Sequence, residues 1–108
     1  MKFIEDTNGT LINAECIRLI ECERSDNPIY TDIYDNYAIY TYMWRVYVEL
    51  IGGTYQYEFA KFKGEDGGYN KAYGIMHKLA AWINRPESTS HHRTVAKYDG
   101  EDDIEEVI

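Results

Sequence analysis

A chain of 108 residues has room for one hydrophobic core, since a second would need roughly 50 further residues of its own, and 44% hydrophobic residues with 11 Tyr among the aromatics fill it without disulfides or metal. The net charge of −8 comes from 19 acids against 11 bases, but Asp99, Glu101, Asp102, Asp103, Glu105 and Glu106 hold most of the excess, leaving the body near −2. That balance offers no clustered positive patch for free nucleic acid, and no apolar run approaches the ~20 residues of a membrane span.

Met1 to Asp6 lacks the apolar stretch of a signal peptide, which sets the expectation of a cytoplasmic protein. Asn8-Gly9 between Phe3-Ile4 and Leu11-Ile12 predicts a small hairpin, because both residues tolerate the positive φ of a two-residue turn. Ile17 to Arg24 reads as a strand with Ile20 and Cys22 on one face, closed by Ser25-Asp26-Asn27-Pro28. Cys16 and Cys22 would stand about 20 Å apart along such a strand, so both are read as reduced apolar fillers.

From Tyr40 onward, Tyr42, Trp44, Val46, Val48 and Leu50 alternate with Thr41, Arg45 and Glu49, the period of a half-buried strand. A turn at Gly52-Gly53 then sets Leu50 opposite Tyr55, Val48 opposite Tyr57 and Val46 opposite Phe59, with Glu49 facing Gln56. Beyond Gly64 to Gly68, the residues Tyr69, Ala72, Tyr73, Met76, Leu79, Ala80 and Ile83 fall in one helical stripe that ends before Pro86. Glu87 to Ser90 has linker composition, Arg93 to Tyr98 suits a short edge strand, and the acid run after it is expected to be disordered. The expected fold is α+β: an antiparallel sheet of about 4–5 strands packed against one long α-helix, with an acidic C-terminal tail. Residues 1–86 form the domain, 87–98 a linker or edge strand, and 99–108 the tail.

Three groups of residues are candidates for partner contact. Ile75 and Trp82 are rotated away from the predicted core stripe, between Lys71 and Lys78, and need a cover: the linker or the returning tail, a second copy or a partner. Tyr30, Tyr34, Tyr37, Tyr40, Tyr42 and Tyr47, interleaved with Asp32, Asp35 and Asn36, exceed what one core face absorbs, and suit protein recognition or the stiffening of a hairpin. The tail acids, with Ile104, Val107 and Ile108, suit either a solvated end or a terminus that folds onto a basic groove. His91-His92 point apart on an extended chain, His77 has no helical partner, and Cys16 and Cys22 match no zinc spacing, so no metal, cofactor or catalytic residue is expected. Glu49 and Glu58 on the polar face of the hairpin could form a carboxylate pair.

Gly9-Thr10-Leu11-Ile12-Asn13 followed by Ile17 and Ile20, then a hairpin and one helix, resembles small proteins of Gram-positive bacteria and their phages. In size, acidity and lack of catalytic motifs the chain is similar to phage-encoded inhibitors of the anti-CRISPR type. That resemblance implies a non-catalytic inhibitor binding a host protein, such as a nucleic-acid-binding effector, with no direct nucleic acid or membrane contact. It covers the architecture and carries over no functional residue, and the near-neutral body departs from the strongly acidic surface of nucleic-acid mimics. The alternatives are a protein that sequesters a nucleotide in a pocket between helix and sheet, an uncharacterised bacterial interaction domain, and an enzyme of unfamiliar type. A homodimer is open to the Trp82 flank or an unpaired strand edge.

Overall fold

A computed structural model describes residues 1–26, 28–34, 36–64, 67–86 and 93–107, with the backbone alone for 29–34 and 39. The fold is α+β, but the strands divide among three sheets where one was expected. Strands β1 (Lys2–Glu5) and β2 (Leu11–Asn13) lead through a 3₁₀ turn at Ala14–Cys16 into β3 (Ile17–Arg24). β4 (Ile29–Tyr34), β5 (Tyr37–Thr41), β6 (Met43–Leu50) and β7 (Tyr57–Lys63) follow, then helix α1 (Gly68–Asn84), β8 (Thr94–Tyr98) and β9 (Ile104–Val107). The order β2-β1-β8-β9 makes a mixed four-stranded sheet in which β1 and β8 run parallel, β3-β6-β7 is antiparallel, and β4-β5 is a ladder of its own.

The first hairpin forms with Ile4 opposite Ile12, through a different turn from the one predicted. Only Gly9 has positive φ, at 81°. Gly9 N–H donates to Asp6 O and Asp6 N–H to Thr10 O, both at 3.0 Å, while the buried Asp6 carboxylate accepts from Asn8 and Thr10 N–H. The Asp side chain thus supplies the loop acceptor that a two-residue turn would not need.

The second hairpin keeps the expected pair Val48–Tyr57 and then slips by one residue, so that Val46 faces Ala60 and Phe59 sits in a bulge. The bulge lets both Phe59 and Ala60 bury. The continuous strand expected from Tyr40 breaks at Tyr42, where β5 leaves the sheet. Ile20 and Cys22 face Val48 and Val46 on the core side of β3, as their spacing implied. Cys16 lies in the 3₁₀ turn, and neither cysteine is in a disulfide.

Helix α1 covers the core with Gly68, Ala72, Ile75, Leu79 and Trp82. This corrects the expected stripe: Ile75 and Trp82 are 2% and 7% exposed, whereas Tyr69 and Tyr73 face outward. The cover predicted for Trp82 is the fold itself. Trp82 belongs to one core cluster with Ile4, Ile12 and Ala96 of the mixed sheet and Val46, Val48 and Phe59 of the other, so the helix is clasped by both sheets. Each such large side chain contributes ~1.5–3 kcal/mol by leaving water. The helix C-terminus is closed by Lys2, itself buried, whose Nζ donates to the carbonyls of Trp82 at 2.7 Å, Ile83 at 3.4 Å and Arg85. A cation there satisfies carbonyls the helix leaves open and complements its dipole.

The C-terminal segment is likewise corrected. β8 is an interior strand between β1 and β9, so the fold does not stop at residue 86, and the expected disordered tail folds back as β9, with Ile104 against the core. Its acids meet the chain's own cations. Lys71 lies 3.9 Å from Asp102, Lys78 3.4 Å from Asp103, Lys97 4.0 Å from Glu105, and Arg85 forms a two-pronged contact to Glu106 at 2.9 Å. Lys71, Lys78 and Arg85 recur every seven residues, hence along one flank of the helix facing the returning strand.

Candidate interaction surface

Strands β4 and β5 pair antiparallel, and Asn36, just before β5, has φ 67°, the left-handed conformation that Asn tolerates best among residues with a side chain. The strand register opposes Tyr30 to Tyr40 and Tyr34 to Tyr37. Tyr37 is 76% exposed and Tyr40 59%. The side chains of Tyr30 and Tyr34, and all of Asp35, lie outside the described residues. Tyr47, grouped with these tyrosines by the sequence, is separated from them: it is buried in β6, and its hydroxyl donates to Glu21 Oε2 at 2.7 Å. Burial first, and then the Glu21 carboxylate, raise its hydroxyl well above the usual tyrosine range.

At the foot of the hairpin, Arg24, Tyr40, Thr41, Tyr42, Trp44 and Gly64 line a cleft of about 270 Å³. The Arg24 guanidinium lies 4.2 Å from the Tyr42 ring centre, a cation–π contact. Gly64 N–H donates to Tyr42 O at 2.6 Å, an approach that leaves no room for a β-carbon, which would stand 2.7 Å from the same oxygen. Trp44 carries the row onward. Its ring meets Tyr69 edge-on at 4.9 Å, Tyr69 stacks on Tyr73 at 5.8 Å, and Tyr73 meets His77 at 4.3 Å. Tyr69, Tyr73 and His77 recur every four residues, and the expected core stripe includes the two tyrosines but not His77. That spacing could have been read as an outer row by asking which of two apolar stripes carried polar tips.

The other predicted residues are not brought to this surface. Ile75 and Trp82 are core. Asp102, Asp103, Glu105 and Glu106 are in the ion pairs described above, and Asp99 closes the β8–β9 turn, its carboxylate accepting from Glu101 and Asp103 N–H. Glu101 accepts the Tyr98 hydroxyl through its carbonyl oxygen. The Asp103 carboxyl is held below its ordinary range by the Ile104 N–H and then by Lys78. Glu49 pairs with Arg18 at 2.5 Å and Glu58 accepts from Thr7, so each carboxylate has a different partner. Among the described residues, no group of three His, Cys, Asp or Glu is placed to hold a metal ion, and no helix is long and apolar enough to cross a membrane.

This arrangement can grip a flat or extended ligand by stacking and can offer hydroxyls at the rim. No family model, curated protein or solved structure matches the chain.

Proposed function

We propose that the chain is a non-catalytic protein-binding module whose contact surface is the tyrosine hairpin β4–β5 together with the row of rings at its foot. The observation that carries this reading is the exposure of Tyr37 and Tyr40 on a two-stranded ladder separate from both larger sheets. A tyrosine ring left in water forgoes burial worth a few kcal/mol, and it gives a partner rigid, amphipathic area at low entropic cost. Asp102, Asp103, Glu105 and Glu106 pair with the chain's own cations, so contact is assigned to the tyrosines and not to charge mimicry. In the form implied by the resemblance to phage-encoded inhibitors, the partner is a host nucleic-acid-binding effector that the contact blocks.

The test is affinity capture from a bacterial lysate by the wild type and by Tyr37→Ser/Tyr40→Ser, with thermal melting to check that both fold alike. A protein retained by the wild type and lost by the variant supports the reading; identical capture by both sinks it. The cleft with Arg24, Tyr40, Tyr42 and Trp44 also favours a second reading, nucleotide binding by stacking. Excess absorbance at 260 nm in purified protein, lost in Trp44→Ala, would promote that reading above the first.

A further inference from the structure

We infer that the outer face of the mixed sheet is the interface of a two-fold dimer of this chain. Ile4, Ile12 and Ala96 point from this sheet into the core, so strand alternation sends Phe3 and Glu5, Leu11 and Asn13, and Val95 and Lys97 to the other side. Val107 and Glu105 join them through their pairing with Val95 and Lys97. Phe3, Val95 and Val107 are in direct register across three strands and form an apolar row. One step along the strands comes a charged row, Glu5, Lys97 and Glu105, with Leu11 beside Glu5. Glu5, Leu11, Arg93, Val95, Lys97 and Val107 line a shared hollow of about 200 Å³, and Leu11 and Val107 are exposed large hydrophobics.

Strand order and charge together commit this face to a second copy. In the order β2-β1-β8-β9, the two inner strands are parallel and each outer strand is antiparallel to its neighbour. A half-turn about an axis along the strands between β1 and β8 therefore carries each strand onto one of like direction, β1 onto β8 and β2 onto β9. A two-fold axis in that direction, above the sheet, lays β1 of one copy over β8 of the other. The two sheets then pack face to face at the usual spacing of about 10 Å. Phe3 meets Val95 twice at the centre, and Glu5 meets Lys97 twice, an attraction the symmetry duplicates. The flanking Leu11 and Val107 add apolar area at the margins.

The experiment is sedimentation of the wild type, Glu5→Lys, Lys97→Glu and an equimolar mixture of the two variants, with circular dichroism to confirm folding. The wild type is expected at about twice the chain mass. Each variant sets like charges opposite each other and is expected as monomer, whereas the mixture pairs Lys with Glu at both contacts and regains the dimer. Complementation between two chains is a result that a role within one chain cannot give. A monomeric wild type, single variants that remain dimeric, or a mixture that stays monomeric overturns the inference. Should either charge variant fail to fold, Leu11→Lys and Val107→Lys replace them, and a dimer that persists in both overturns it equally.

Discussion

Gly68 and Gly74 lie six residues apart in one helix and do opposite things. A β-carbon at Gly68 would stand 2.0 Å from the carbonyl oxygen of Lys63, backbone against backbone, whereas one at Gly74 meets nothing within 4 Å. We expect Gly68→Ala to destabilise by about 1–3 kcal/mol through overpacking, and Gly74→Ala to stabilise by about 0.5–1 kcal/mol by restricting the unfolded chain; urea unfolding of the two variants reads both signs. Tyr47 gives a prediction in pH. Its ionised form is disfavoured by burial, so the unfolded chain releases this proton first. Stability is therefore unaffected by this group below the ordinary tyrosine value of about 10 and falls as pH rises past it. Tyr98, raised by burial and then by Asp102, acts in the same direction. Tyr47→Phe should cost ~1 kcal/mol at neutral pH for the lost bond to Glu21 and should flatten part of the alkaline decline.

At the level of the helix, two apolar stripes compete for the core. The stripe through Tyr69, Tyr73, Met76 and Ile83 and the one through Gly68, Ile75 and Trp82 differ by roughly 115° at 100° per residue. The second is the buried one because Gly68 admits close contact with the end of β7, whereas Tyr69 and Tyr73 stand outward with their hydroxyls toward water and Met76 and Ile83 pack at the margin of the core. Trp82→Ala should therefore cost about 3–5 kcal/mol, as a core truncation does, where a surface anchor would cost almost nothing. Trp82→Phe should cost much less, since the indole N–H is buried without a hydrogen-bond partner among the described residues. The C-terminal hairpin is held partly by Asp103, whose carboxyl is lowered by the Ile104 N–H and then by Lys78. That stabilisation is complete above the ordinary carboxylate range and is lost as pH falls through the lowered value. We expect the protection factors of the β8–β9 amides, observed exchange set against the intrinsic rate at the same pH, to fall below about pH 4 before those of the rest of the molecule. Raised salt at neutral pH should change them little, because exposed ion pairs contribute modestly beside the backbone ladder and Ile104.

The whole molecule measures 58 × 28 × 21 Å, elongated for a chain of this length, with a helix clasped by two sheets. Tyr37 and Tyr40 are 76% and 59% exposed and lie outside the core cluster. Tyr37→Ser/Tyr40→Ser should leave the unfolding free energy within about 0.5 kcal/mol of the wild type, so any loss of binding can be assigned to the surface. A larger loss of stability would mean that the hairpin rests on the body.

Local order was legible in the residues themselves. Alternation fixed β3 at Ile17–Arg24, Gly52-Gly53 marked the turn before β7, and a 3.6-residue period bounded by Gly68 and Pro86 marked the helix to within a residue at each end. These signals depend on neighbours within a few positions, and the α+β class follows from them. The tyrosine hairpin was legible in part, since Asp35-Asn36 between alternating tyrosines is a turn signal in its own right. The sequence could not decide the pairing of β1 with β8, some 90 positions away, because many strands could satisfy either edge. It could not choose between the helix stripes, since both are apolar and only the shape of the facing sheets tells them apart. Nor could it tell a solvated acid run from a strand, because the Lys71, Lys78 and Arg85 that neutralise it are gathered onto one flank only when the chain has folded.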